Sequence, residues 1–167
     1  MITVILMVVM LILLFGAGTP GKNKLERGFR ISFDDSGGTV RDLSGDLVPG
    51  SVSGGGLVYD EVELTGVSES VKNYLAGHAE SEITAQFYMN DTASTGAFTV
   101  LSGNQGGTGT LTLQWGSSGS APDTGDPEWE GEYVLLNASV GLNGNKPVIN
   151  AVFKPTGSTP PAWGTVS

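Results

Sequence analysis

The sequence predicts an all-β fold: a β-sandwich of two antiparallel sheets with one short α-helix, preceded by an apolar N-terminal helical segment. Three observations carry this. Several runs alternate apolar and polar residues with the period of two that a half-buried strand requires. The runs are separated by Gly/Ser/Asp/Asn/Pro clusters, and the chain holds 26 glycines. Only 15% of residues are charged, and β-branched residues are plentiful, a balance that suits a packed sheet and not a disordered chain.

Residues 1–21 form an apolar leader, and residues 22–167 form the domain. Ile2 to Phe15 is apolar except for Thr3, and a small-residue stretch from Gly16 to Gly21 follows it. The run is shorter than the roughly 20 residues that span a bilayer. It is similar to the apolar core of a signal peptide, but no charged side chain precedes Lys22. Three readings stand: translation from a start upstream of the true one, an export signal, or an apolar helix that packs in an assembly.

Within the domain, Phe29, Ile31 and Phe33 share one face of a first strand. Asp34-Asp35-Ser36-Gly37-Gly38 is turn chemistry, and Thr39 to Leu43 returns as a second strand. Ser44 to Gly56, with Pro49 and three consecutive glycines, reads as a long flexible loop. Val58 to Thr65 is a strand. Ser68 is placed as an N-cap, Val71, Tyr74 and Leu75 fall on one helical stripe, and Gly77 is placed to end the helix. Glu82 to Phe87 alternates cleanly, with Ile83, Ala85 and Phe87 inward. Asn90 to Gly96 is a turn, and Phe98 to Leu101 suits a strand or a short helix equally. Thr110 to Trp115 is a strand with Leu111, Leu113 and Trp115 inward. Ser117 to Pro127 is a loop, and Glu132 to Leu142 is a long strand. Asn143-Gly144-Asn145 is a hairpin turn, and Val148 to Phe153 returns. From Lys154 the Pro-rich tail reads as extended.

Composition excludes several functions. Net charge is −9, which opposes wrapping by nucleic acid. Five of the eight basic residues, Lys22, Lys24, Arg27, Arg30 and Arg41, lie in the first 41 positions; from Asp42 onward three basic residues face fourteen acidic ones. A basic arm meeting an acidic neighbour is therefore available. With no cysteine, disulfides and thiolate metal sites are absent. The Asp34 to Gly38 stretch superficially resembles a serine-protease nucleophile loop, but the single histidine, His78, comes after Ser36, and a serine without a base is not activated. One histidine without cysteine builds no usual zinc site. Asp123 and Asp126 lack calcium-loop spacing, and Gly103 to Gly109 has no following lysine to make a phosphate loop. Neither an enzyme nor a cofactor is implied.

Glu128, Glu130 and Glu132 alternate with Trp129, Gly131 and Tyr133, so a strand places three carboxylates on one face and the aromatics on the other. Trp115 belongs to an apolar strand face. Trp163 is the best exposed tryptophan, suited to stacking on a sugar ring or to anchoring a neighbouring subunit.

Five stretches occur in an order and spacing similar to the tail tube proteins of long-tailed bacteriophages. They are Ile31 to Leu43 (Ile31-Ser32-Phe33-Asp34-Asp35-Ser36-Gly37-Gly38-Thr39-Val40-Arg41-Asp42-Leu43), Val62-Glu63-Leu64-Thr65-Gly66, Asp91-Thr92-Ala93-Ser94-Thr95-Gly96, Gly125-Asp126-Pro127-Glu128-Trp129-Glu130-Gly131-Glu132-Tyr133, and Pro161-Ala162-Trp163-Gly164-Thr165. The resemblance runs from about Lys22 to the C-terminus. It implies a structural virion protein assembled in the host cytoplasm, whose β-sandwich subunits form hexameric rings. The rings stack on themselves, and with other tail proteins, into a hollow tube through which DNA passes without specific binding. It also implies a long hairpin or loop, in the region of Ser44 to Gly56, that reaches the neighbouring ring. Under this reading Lys22, Lys24, Arg27, Arg30, Val48, Pro49, Leu57 and Trp163 are expected inter-subunit contacts, and Glu128, Glu130 and Glu132 an acidic stripe facing the lumen. The folded domain needs no membrane. The alternative, taking the leader at face value, is a secreted β-sandwich binding module for carbohydrate or surface adhesion.

Overall fold

The computed structural model describes residues 28–157 and 160–167. The leader, with Lys22, Lys24 and Arg27, lies outside the described residues. The chain runs β1 (Phe29–Asp34), β2 (Val40–Asp42), β3 (Val58–Glu63), β4 (Tyr74–Glu80), β5 (Ile83–Tyr88), α1 (Ala97–Gly103), β6 (Thr108–Trp115), β7 (Pro127–Asn143), β8 (Lys146–Pro155) and β9 (Ala162–Thr165).

Seven strands form one antiparallel sheet in the order β2-β1-β6-β7-β8-β5, with β9 also paired to β7. The two expected layers are thus two halves of one sheet, which share β7. The first half of that 17-residue strand pairs with β6 and β9, and the second half with β8. A bulge between Leu135 and Asn137 lies at the crossover, where an extra residue bends a strand and raises its twist. The fold-over is measurable. In a flat sheet β1 and β8 would stand about 14 Å apart, three strand spacings. Instead Phe33 of β1 meets Phe153 of β8 edge-on, with ring centroids 5.0 Å apart.

Of the inward residues predicted for β1, β5 and β6, Ile31, Phe33, Ile83, Ala85, Phe87, Leu111 and Leu113 are buried, while Phe29 and Trp115 are partly buried against the core. They form one core with Trp129, Tyr133, Leu135, Ile149, Ala151 and Phe153. The ambiguous stretch at Phe98 to Leu101 is helical. Ala97, Val100 and Leu101 of α1 are buried against β5, β7 and β8. No side chain at Gly96 caps this helix. The cap comes from far away: Asp46 Oδ2 accepts from the Ala97 N–H at 3.0 Å, and the Asp46 carboxylate also receives Asn90 Nδ2.

Two sequence expectations fail. The helix expected over Ser68 to Gly77 is absent, and its second half is β4, paired antiparallel with β3. The stripe Val71, Tyr74, Leu75 does not face a core, because all three residues are exposed. Pairing with β4 satisfies the backbone groups of β3 on that side, and among the described residues no other strand lies beside β3. Nor is Ser44 to Gly56 a free loop. It begins with a short 3-10 turn, Ser44–Asp46, and then runs along the outer edge of β5. Val48 N–H donates to Gln86 O at 2.8 Å, Ser53 and Thr84 exchange two backbone bonds of 2.9 Å, and Ser51 Oγ bridges to Gln86. The edge that β5 would otherwise expose is thereby covered.

Candidate assembly surfaces

Three surfaces stand out, and each begins with a local pattern. On β7, alternation sends Trp129, Gly131 and Tyr133 into the core and Glu128, Glu130 and Glu132 outward. Each carboxylate accepts a hydrogen bond from the facing residue of β6: Gln114 Nε2 to Glu128 at 2.6 Å, Thr112 Oγ1 to Glu130 at 3.3 Å, and Thr110 Oγ1 to Glu132 at 2.7 Å. The row extends across the sheet, because Arg30 of β1 reaches Gln114 at 3.5 Å and lies 3.6 Å from Asp42 of β2. Arg30 is therefore a member of this outer face. The arrangement is a laterally braced, predominantly acidic surface.

The second surface is aromatic. Trp163 of β9 pairs with Trp129 of β7, and its ring also meets Trp115, which in turn meets Phe29. Trp129 is buried within this cluster, while Trp163 remains 59% exposed at its margin. Nearby, Asp123 and Asp126 direct carboxylate oxygens at backbone N–H groups of their own turn.

The third surface was missed in the sequence. β3 and β4 form a separate two-stranded arm in which every residue except Gly77 is exposed. Cross-strand pairing puts Val62 beside Leu75, with Leu64 two residues further along the same face, while Tyr59, beside Ala79, lies on the other face. The opposite face carries Glu61, Glu63 and Tyr74, and Lys72 pairs with Glu63 at 2.8 Å. Glu69 organises the tip by accepting from Gly66 N–H and Asn73 Nδ2. The period-two signal was legible in Val58 to Thr65, but the absence of a core behind it was not.

The arm is rooted firmly. Gly54 enters it at φ +104°, and a Cβ there would collide with Glu82 O. At the other strand, buried Ser81 Oγ lies 2.9 Å from the Tyr133 hydroxyl, which accepts from Trp129 Nε1. Lys154 Nζ sits 3.3 Å from Glu82 and 3.9 Å from Glu80.

Of the expected contact residues, Pro49 is exposed, Leu57 is half-buried against the core, and Val48 is 6% exposed. Val48 lies inward where its segment is bonded to β5. His78 lies on β4, not at a helix end. The Asp35 carboxylate is occupied by its own turn, accepting from Gly37 and Thr39 N–H and from Arg41. Its pKa is held below the ordinary 3.8, first by the Thr39 N–H and then by Arg41. Among the described residues no group of acidic or histidine side chains is arranged to hold a metal, and no helix is long and apolar enough to cross a membrane.

No protein-family model and no curated protein sequence matches the chain. Solved structures do. One is a chain of the extended sheath-tube complex of an extracellular contractile injection system, PVC, with a TM-score of 0.54 at 16% identity over 84% of this chain and 90% of that one. Another comes from the six-fold-symmetrised baseplate of the anti-feeding prophage, with a TM-score of 0.57 at 12% identity over 84% and 95%. A third comes from the tail of an empty GTA particle with C6 symmetry, with a TM-score of 0.54 at 13% identity over 90% and 100%. The tail-tube resemblance in the sequence is thus matched by the fold, which this chain shares with chains of tail and injection particles.

Proposed function

We propose that this chain is a structural subunit that assembles with copies of itself into the tube of a phage-tail-like particle, as stacked hexameric rings through which DNA passes. The observation that carries the reading is the β3–β4 arm. A two-stranded hairpin with an apolar face and, among the described residues, no layer behind it is marginal in water and gains its stability by docking. Six-fold symmetry in two of the similar structures supports the ring order. The acidic face of β7 suits a lumen, since carboxylates repeated around a ring repel phosphates and keep DNA from sticking. The arm, and not Ser44 to Gly56, then makes the contact between rings. Arg30, Pro49 and Trp163 remain candidate contacts beside it, with Lys22, Lys24 and Arg27 on the preceding segment. The location that follows is the particle itself. The binding-module alternative draws less support, because Trp163 packs its ring against Trp115 and Trp129.

The test is electron microscopy of the full chain at high protein concentration, beside a variant whose residues 58–80 are replaced by a short Gly-Ser turn. Hollow tubes of uniform width are expected from the first, and single rings or folded monomers without tubes from the second. Tubes from the arm-less variant would sink the reading.

A further inference from the structure

The arm needs a receiving surface, and the second large exposed apolar region of the body is the end of the β7–β8 hairpin. Past the bulge, Ala138, Val140 and Leu142 fall on the core-facing side of β7, opposite Ala151, Ile149 and Pro147. Ala151 and Ile149 are buried, but Val140 and Leu142 are 58% and 74% exposed. The strand therefore overhangs the core and carries its apolar face past the layer that covers it. Its edge is also open: among the described residues no strand pairs with β7 beyond Leu135 on the side away from β8. An uncovered apolar face beside an unpaired strand edge is a docking ledge.

Charge selects the occupant. Residues 135–151 contain one charged side chain, Lys146. The arm, residues 58–80, holds five acidic side chains and one basic one, Lys72. The aromatic margin at Trp163 lies instead on strands that join Asp126 and Glu128, which would repel an acidic arm. We infer that the arm of one copy seats its Val62, Leu64 and Leu75 face on the Val140–Leu142 ledge of a second copy, with Lys146 facing Asp60, the carboxylate that shares that face of the arm. This inference rests on the tube-subunit reading and names the partner surface of the arm. Arm and ledge are different patches on one chain, so the contact is heterologous and repeats from copy to copy, as an extended assembly requires.

Two experiments on the full chain decide it. The chain has no cysteine, so Leu75→Cys and Leu142→Cys each introduce a single thiol. Mixed in equal amounts and treated with a short bis-maleimide, the two variants should give a mixed dimer well beyond twice either self-dimer, the ratio that random cross-linking gives. Absence of that excess overturns the ledge. Separately, the double variant Val140→Asp, Leu142→Asp should raise the critical concentration for assembly tenfold or more while retaining its melting transition, since both positions are mostly exposed. If the aspartate variant assembles normally while the arm-less chain does not, the ledge falls and the tube reading stands. If the arm-less chain forms tubes, both fall.

Discussion

At the scale of single residues, long-range polar contacts hold places where the local sequence supplies no stabilising group. Asp46 caps α1 from 51 positions away because Gly96, at the cap itself, has no side chain to offer. Asp46→Ala should lower unfolding free energy by about 1–2 kcal/mol in denaturant melts, since the cap is lost and the Asn90 amide loses its partner. Asp35 gives a pH signature. Its folded pKa is lowered, so its contribution to stability is complete above the ordinary 3.8 and is lost as pH falls through the lowered folded value. The stability gap between the parent and Asp35→Asn should be constant near neutral pH and close in acid. A gap that persists unchanged in acid melts would remove the charge-based explanation. Neither role was legible in the sequence: Asp35 read only as a turn residue, and Asp46 lay in a stretch taken for a loop.

At the scale of elements, burial rather than pattern separates body from arm. β1, β5 and β6 alternate and have a core beneath them, so their signal in the sequence was sufficient. β4 was misread because Val71, Tyr74 and Leu75 satisfy helical spacing, while the competing interaction, pairing with β3, is not a property of the segment itself. The distinction has a dynamic consequence. Arm amides are held by one partner strand and no packing, so in dilute monomer they should exchange with deuterium far faster than those of β6, β7 and β8. In assembled protein the arm should become protected. Arm protection equal to that of the body in the monomer would show the hairpin to be stable alone and weaken the case that it needs a partner.

For the whole molecule, a sheet folded about β7 places one acidic outer face, one aromatic margin, one projecting arm and one overhanging ledge on a single subunit. If the acidic face lines a channel, reversing it should make the channel adhesive. Tubes carrying Glu128→Lys, Glu130→Lys and Glu132→Lys should retain double-stranded DNA at low salt and release it as salt rises, whereas the parent tubes retain none. Equal DNA retention by both would place these carboxylates elsewhere. By itself, the sequence determined the all-β class, the inward and outward faces of β1, β5, β6 and β7, the alternating acidic row and the tail-tube resemblance, because period-two patterning and turn chemistry act within a few residues. Only the tertiary structure decided that the two layers are one sheet, that Ser44 to Gly56 closes the edge of β5, and that residues 58–80 stand clear of the core. Each of these depends on which distant strand supplies the backbone partner, and the hydrogen bonds that settle it join residues tens of positions apart.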